Sequence, residues 1–452
     1  MKFAGMSLQE LIRPEGYECA CGRKHVCALK YLNIGKGIVT EVPKMLEALG
    51  AKKPFVVSDR NTWEAAGRRV DEILTEAGID HVNYIVPMDR PKPGEWEVGS
   101  VVMHFDPSCD LLLAIGSGVL NDICKVVSLA TGVPNAVVGT APSMDGYASN
   151  SSSMEVNKVK TTLYNHAPCG ILLDTEILAQ APMRMLQAGF GDMIAKYIAT
   201  CEWRIAHIVT GEYYCEEVAA LMRHALSRMV DAVEGIPARD PEAIGTIAEG
   251  LVLAGIAMAY ANISRPASGL EHYFSHMWEM MALEREEPYD LHGIQVGVGT
   301  VLTMKLYKHI RALVPSREKA EAHMAAFDPD AWTAEMHRIF GKTTDEVLAI
   351  EEKAHKNDPA KHAVRLKRIL DNWEEICRIM DEELPDLAVL RAQMDLIGEP
   401  TRPSDLGINM KDTIDAFIGS RDIRDKYMTS TILWDLGETD DFVKILEQEA
   451  ED

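Results

Sequence analysis

Basic residues are in deficit: 46 lysines and arginines stand against 69 aspartates and glutamates, a formal net charge of −23 over 452 residues. Nucleic acids and anionic membranes are held by a basic footprint, so neither is expected as a partner. The surplus of carboxylates serves solubility. Long apolar runs are missing as well. None approaches the length expected of a bilayer span, and the first residues, MKFAGMSLQELIRPEG, hold no apolar core of a signal sequence. Cytoplasmic residence is the expectation. A disulfide framework is absent too, because the nine cysteines are odd in number and scattered, which fits reduced thiols. Four potential ligands crowd together in CACGRKHVC (Cys19, Cys21, His25 and Cys27). Their spacing matches no paired CxxC pattern and no second half follows, so the motif alone does not indicate a zinc site. Internal repeats, low-complexity tracts and a complete GxGxxG fingerprint are also lacking.

What is present is enough apolar material, 47% of residues, for two domains each with its own core. Residues 1–27 read as an irregular arm, and LNIGKGIVTEVPKMLEALG as a turn running into a helix. Short runs rich in Val, Ile and Leu then alternate with helical periodicity: PFVVSD ending at Asp59, HVNYIV at 81–86, DLLLAIGSG at 110–118, NAVVG, and GILLD. Such alternation predicts a parallel sheet covered on both faces, with ligands beyond the carboxyl ends of its strands. From Pro182 the strand signal stops. The expected organisation is an N-terminal Rossmann-like α/β dinucleotide-binding domain over residues 1–180 and a C-terminal all-α metal and substrate domain over 181–452.

Two stretches carry chemistry. In the first, Gly116, Ser117 and Gly118 end a strand just before Asn121 and Asp122 open a helix, a turn through which backbone can approach a pyrophosphate. Downstream, Thr140, Ser143, Asp145 and Ser149 crowd a polar loop at another strand end, suited to a ribose, a phosphate or a polyol. Lys158 and Lys160 follow on an antiparallel excursion, within reach of a phosphate. In the second, SRPASGLEHYFSHMWEMMALEREEPYDLHGIQVGVG places His272 and His276 on one helical face, with His292 after an acidic connector. Three imidazoles at this spacing can converge on a divalent ion, which then needs a carboxylate. The best candidate is Asp192 in AGFGDMIAKY, where Gly189 and Gly191 are expected to turn the chain just before a helix begins. His355 and His362 read as solvated face residues.

With GSGxxND, TAPSMDG, GFGDMIAKY, SRPASGxEHxxSH and LHGIQVGVG in this order, nearly the whole chain resembles the iron-containing alcohol dehydrogenase and dehydroquinate synthase-like superfamily. Within it, the chain is most similar to the longer bacterial sn-glycerol-1-phosphate dehydrogenases. The resemblance implies that Asp192, His272 and His292 bind the metal, and that Asp145, Asp192 and His276 touch substrate, with Asp192 and His276 at the chemistry. It implies that Gly116, Ser117, Gly118, Val119, Leu120, Thr140, Ala141, Pro142, Ser143 and Ser149 line NAD(H) or NADP(H), with Asp59 on the adenosine ribose. Arg265 and Lys160 are added for the substrate phosphate from charge and position alone. The Asp-His-His donor set suits zinc first, with nickel and iron as alternatives. The implied reaction interconverts dihydroxyacetone phosphate and sn-glycerol 1-phosphate in a homo-oligomer, dimeric or larger. Oxidation of glycerol or another polyol or polyol phosphate on the same scaffold is the alternative.

Overall fold

The computed structural model describes residues 3–157 and 159–452, so Lys158 lies outside the described residues. The chain forms two compact units, one of Met1–Met193 with Cys215–Pro266, the other of Ile194–Tyr214 with Ala267–Asp452. The strand-to-helix change near residue 180 and the division into units are thus separate features. Helices Glu216–Asp231 and Pro241–Ala261 belong to the sheet-bearing unit.

That unit is organised on a six-stranded parallel sheet whose strands are β1 (Tyr31–Gly35), β2 (Pro54–Asp59), β3 (Val82–Val86), β4 (Leu111–Gly116), β5 (Asn135–Gly139) and β6 (Gly170–Asp174). The order is β1-β6-β5-β4-β2-β3. Every residue of β2, β4, β5 and β6 is buried, which is why these segments read as unbroken apolar runs. β1 was expected as a turn. As an edge strand it is mostly half-buried, and YLNIG therefore lacks a hydrophobic signature. Helices Val42–Leu49 and Arg68–Glu76 cover one face, packing Val42, Leu46, Val70 and Leu74 on Val56, Leu113, Val138 and Leu172. Burying each such side chain contributes about 1.5–3 kcal/mol.

The strand order fixes where a ligand can bind. From β2 the chain moves outward to β3, whereas from β4 it moves the other way to β5 and β6, so the reversal falls between β2 and β4. In open parallel sheets the crevice forms beyond the strand ends at such a reversal. The register of Val57 beside Ala114 carries Asp59, the last residue of β2, level with Gly116, the last of β4. Both residues singled out from the sequence therefore flank this point.

The second unit is helical. Its helices Leu270–Arg285 and His292–Ile310 lie so close that a Cβ at Gly299 would sit 2.4 Å from the Glu271 carbonyl oxygen. The terminal helices carry a buried ion pair, Arg365 to Asp435 at 2.7 Å. His362, expected on a solvated face, is buried beside that pair, with Nε2 2.9 Å from the Asp435 carbonyl oxygen. The charge-laced pattern around it concealed a polar side chain that packs inward and finds a carbonyl.

Two further expectations are corrected. Helix Pro241–Ala261, 21 residues with mean hydropathy 1.6, is long and apolar enough to cross a membrane. It is instead largely buried within the sheet-bearing unit, where an all-round apolar helix satisfies its surface as core. Nor do Gly189 and Gly191 precede a helix start: helix Met183–Thr210 runs straight through them, leaving Asp192 well inside it. Gly189 serves contact rather than turning, since a Cβ there would lie 1.8 Å from the Pro142 carbonyl oxygen and 2.8 Å from Ile247.

A backbone oxygen at that distance cannot swing aside. Gly189→Ala should therefore lower stability by on the order of 3 kcal/mol. Gly99 lies inside helix Glu95–His104 with nothing within 4 Å of an added Cβ. Gly99→Ala should raise stability by roughly 0.5–1 kcal/mol. Thermal unfolding of the two variants beside the parent measures both.

Candidate active site

In the sheet-bearing unit, β4 stops at Gly116, Ser117 stands at the N-cap, and helix Gly118–Thr131 begins at once, three residues before the start expected from Asn121. The first-turn N–H groups of Gly118, Val119 and Leu120 have no carbonyl four residues back to bond, and the helix dipole places partial positive charge there. A Cβ at Gly116 would lie 2.6 Å from Leu120, so the strand-to-helix corner closes only over glycine. Leu120 itself is buried and fills that corner.

Beside it runs the loop from Thr140 to Ser151. Thr140 N–H donates to the Gly116 carbonyl (3.1 Å), and Ser143 N–H to that of Ala141 (3.1 Å). The fully buried Tyr147 donates its hydroxyl proton to the Ala141 carbonyl at 2.7 Å. Pro142 turns its carbonyl against Gly189. Asp145 N–H donates to Asp192 Oδ2 at 2.9 Å, which joins two carboxylate residues named from the sequence. Ser149 Oγ and Ser151 Oγ lie 2.8 Å apart.

Sequence reasoning missed what holds this loop. Lys125 is completely buried, 2.7 Å from Asp122 Oδ1, and its ammonium donates to the carbonyls of Gly146 (3.3 Å) and Ser151. Asn121 Nδ2 donates to the same Gly146 carbonyl at 3.2 Å. The signal was present in NDICK: residues 121, 122 and 125 share a helical face. Asp59 is buried, and its Oδ1 caps helix Arg60–Thr62 by accepting from Thr62 N–H at 2.8 Å. Lys160 sits opposite Glu155 in the antiparallel hairpin of Ser151–Val156 and Val159–Tyr164. Arg265 is 2% exposed.

In the helical unit, His272, His276 and His292 come together. Ring centroids lie 5.3 Å apart for His272 and His292, 5.4 Å for His276 and His292, and 6.3 Å for His272 and His276. The environment assigns two tautomers. Glu271 Oε1 accepts from His272 Nδ1 at 2.8 Å, leaving the lone pair on Nε2. The Ser275 hydroxyl donates to Gln295 Oε1 at 3.0 Å, so its contact with His292 Nδ1, also 3.0 Å, must be one in which the imidazole donates. His292 Nε2 then carries its lone pair as well. Glu279 is buried, with Oε1 3.4 Å from His292 Nδ1 and Oε2 3.9 Å from His276 Nδ1.

Carboxylates and hydroxyls on Nδ1 with lone pairs on Nε2 are the support that metal-ligating histidines require. The donor chemistry therefore fits a divalent ion held by His272 and His292. Burial pushes the His276 imidazole down to about 3, against the opposing pull of Glu279, so His276 is neutral at ordinary pH. Of these supports, Glu279, Ser275 and Gln295 were not foreseen. His272, Ser275 and Glu279 follow the spacing i, i+3, i+7 on one helical face, which was a readable signal.

The chain matches the family described as iron-containing alcohol dehydrogenase over residues 33–182. A Halalkalibacterium halodurans protein named glycerol-1-phosphate dehydrogenase (NAD(P)+) is 32% identical over 325 residues, 71% of this chain and 80% of that one. The chain belongs to the glycerol-1-phosphate dehydrogenase family. A Methanosarcina mazei protein of the same name is 35% identical over 277 residues, 61% of this chain and 75% of its own. Among solved structures, glycerol dehydrogenase from Schizosaccharomyces pombe superposes with a TM-score of 0.61 at 14% identity, over 94% of this chain and 93% of that one. That likeness establishes the fold: a Rossmann-like parallel-sheet region followed by a helical one.

For this family member, Lys125→Met should leave the half-buried Asp122 without its cation and the loop carbonyls without that donor. A loss on the order of 3 kcal/mol is expected from breaking a buried pair. Chemical denaturation measures it, and cofactor titration of the folded fraction should show weaker binding.

Proposed function

We propose that the protein is an NAD(P)-dependent sn-glycerol-1-phosphate dehydrogenase, interconverting dihydroxyacetone phosphate and sn-glycerol 1-phosphate. The carrying observation is the family's name borne by relatives that share most of their length with this chain. The pinned tautomers of His272 and His292 support it from the chemistry.

In this reading Asp192, His272 and His292 hold one divalent ion, zinc first and nickel or iron as alternatives. When bound, that ion supplies Lewis-acid polarisation of the substrate carbonyl. The dinucleotide, when bound, would supply the hydride for the substrate ketone carbon and be oxidised in doing so, and the carbonyl oxygen would receive its proton by way of His276. His276 orients the substrate as a neutral imidazole, its pKa held down by burial, and relays a proton through one nitrogen while accepting at the other. Asp145 binds a substrate hydroxyl. Arg265 and Lys160 bind the phosphate. Gly116 to Leu120, Thr140 to Ser143 and Ser149 receive the dinucleotide, whose pyrophosphate meets the first-turn N–H groups of helix Gly118–Thr131. Asp59 accepts from the adenosine ribose hydroxyls. The enzyme works in the cytoplasm as a homo-oligomer.

The test is NADH oxidation with dihydroxyacetone phosphate across a panel of added metals, followed by chiral analysis of the product, with glycerol and sn-glycerol 3-phosphate as comparison substrates in reverse. Accumulation of sn-glycerol 1-phosphate is expected; turnover of glycerol alone overturns the proposal. Asp192→Asn and His272→Ala should lose bound metal and turnover together while keeping their fold. Full metal occupancy in both variants would exclude these ligands. Asp59→Asn keeps an oxygen for the Thr62 cap yet removes the charge that repels a ribose 2′-phosphate. Its NADPH-to-NADH ratio of kcat/KM should rise by about tenfold, which is about 1.4 kcal/mol.

A further inference from the structure

The motif CACGRKHVC gains its missing partner from a distant part of the same unit. Strands Tyr17–Glu18 and Lys24–His25 pair antiparallel, and the turn between them carries Cys19 and Cys21. Gly22 takes a positive φ of 83°, with its N–H donating to the Cys19 carbonyl at 3.0 Å. The loop before helix Glu216–Asp231 brings Cys215, 196 residues from Cys19, to the same place. One ligand atom each from Cys19, Cys21, His25 and Cys215 falls within 4.8 Å of all the others. Cys27 is not among them; its sulfur lies 3.9 Å from the Leu11 carbonyl oxygen.

The distances are those of a coordination tetrahedron. With Zn–S near 2.3 Å and Zn–N near 2.05 Å, tetrahedral angles put sulfurs about 3.8 Å apart and sulfur to nitrogen about 3.5 Å apart. Cys19 Sγ to Cys215 Sγ is 3.7 Å, Cys21 Sγ to His25 Nε2 is 3.3 Å and Cys215 Sγ to His25 Nε2 is 3.5 Å. His25 is fully buried, and its Nδ1 lies 2.8 Å from the Tyr260 carbonyl oxygen. That carbonyl can only accept, so Nδ1 bears the proton and Nε2 presents its lone pair to the sulfurs, as in a zinc-bound histidine. The sulfurs are too close together to surround an iron–sulfur cluster, whereas one tetrahedral d10 ion fits between them.

We propose that Cys19, Cys21, His25 and Cys215 bind a structural zinc ion. Four protein ligands close the coordination sphere, so the ion has no position for substrate. It ties the N-terminal hairpin to the start of helix Glu216–Asp231 and, through His25, to the end of helix Pro241–Ala261. Phe3 seals the site, packing edge-on to His25 with ring centroids 5.3 Å apart.

The experiment is zinc analysis of the full-length protein together with cobalt substitution. Thiolate ligation gives Co(II) a sulfur-to-metal charge-transfer band that an Asp-His-His site cannot give. The parent and His272→Ala should both show the band. Cys21→Ser should lose it along with one zinc per chain, and Cys27→Ser should keep both. Apparent melting temperature should fall by several degrees in Cys21→Ser. Equal zinc in the parent and Cys21→Ser, a parent cobalt protein without the band, or a Cys19–Cys215 disulfide found by peptide mapping would each overturn the proposal. The parent cobalt spectrum decides the matter even if the serine variant fails to fold.

Discussion

Glu271 is a fully buried carboxylate in the first turn of helix Leu270–Arg285, and the orientation of His272 depends on how that carboxylate is bonded. Burying an ionised carboxylate costs several kcal/mol unless hydrogen bonds replace water. Two do so at Oε1, where Gly269 N–H donates at 2.7 Å and His272 Nδ1 at 2.8 Å, while the buried Oε2 has no hydrogen-bond partner among the described residues. A second buried acid, Glu202, accepts from Leu270 N–H at 3.2 Å and from Thr429 N–H at 3.0 Å. Both acids sit at the positive end of the helix that carries His272 and His276, where the dipole favours negative charge. Gly269 is what lets them approach, since a Cβ there would lie 2.7 Å from Glu202 and 2.8 Å from Glu271. The orientation of His272 thus follows from an electrostatic requirement of the core. A change at Gly269, Glu202 or Thr429 reaches the imidazole without touching it.

The same logic appears in the sheet-bearing unit with the signs reversed. Lys125 is a buried cation, and its partners are Asp122 and the carbonyls of Gly146, in the short 3-10 turn Gly146–Ala148, and Ser151, where the hairpin begins. An irregular loop next to a core carries backbone groups that must be bonded. Here a lysine, an asparagine and a tyrosine hydroxyl meet that need from three directions. The outcome is a rigid strand-end loop, as a ligand-positioning loop has to be.

Legibility divided along physical lines. Strands β2, β4, β5 and β6 were readable because burial on both faces leaves their middles apolar, with polar residues only at their ends. β1 was not, since an edge strand has little to bury. Gly189 was read as a turn residue because glycine in sequence signals freedom, while in the structure it signals proximity to Pro142 and Ile247, and proximity needs the partner's position. Histidine spacing on one helix was readable; the tautomer of His292 was not, because Ser275 and Gln295 fix it across two helices. Cys215 could not have been joined to the hairpin from spacing alone, with 196 residues between it and Cys19.

The deficit of positive charge bears on how the enzyme handles its ligands. A dinucleotide and a triose phosphate are both anionic, and a chain with a net charge of −23 repels them at long range. The buried cation nearest the strand-end loop does not make up the difference, since Lys125 is committed to loop carbonyls and Asp122. In the proposed reading, short-range groups then carry much of the binding: the first-turn N–H groups of helix Gly118–Thr131, the hydroxyls of Thr140, Ser143 and Ser149, and the helix dipole, with Arg265 and Lys160 for the substrate phosphate. Such donors act at contact distance and are screened little by salt, unlike a field of surface lysines. On that reading, dinucleotide affinity depends chiefly on backbone geometry at the ends of β4 and β5, where Gly116 closes the strand-to-helix corner and Lys125 is spent on holding the neighbouring loop.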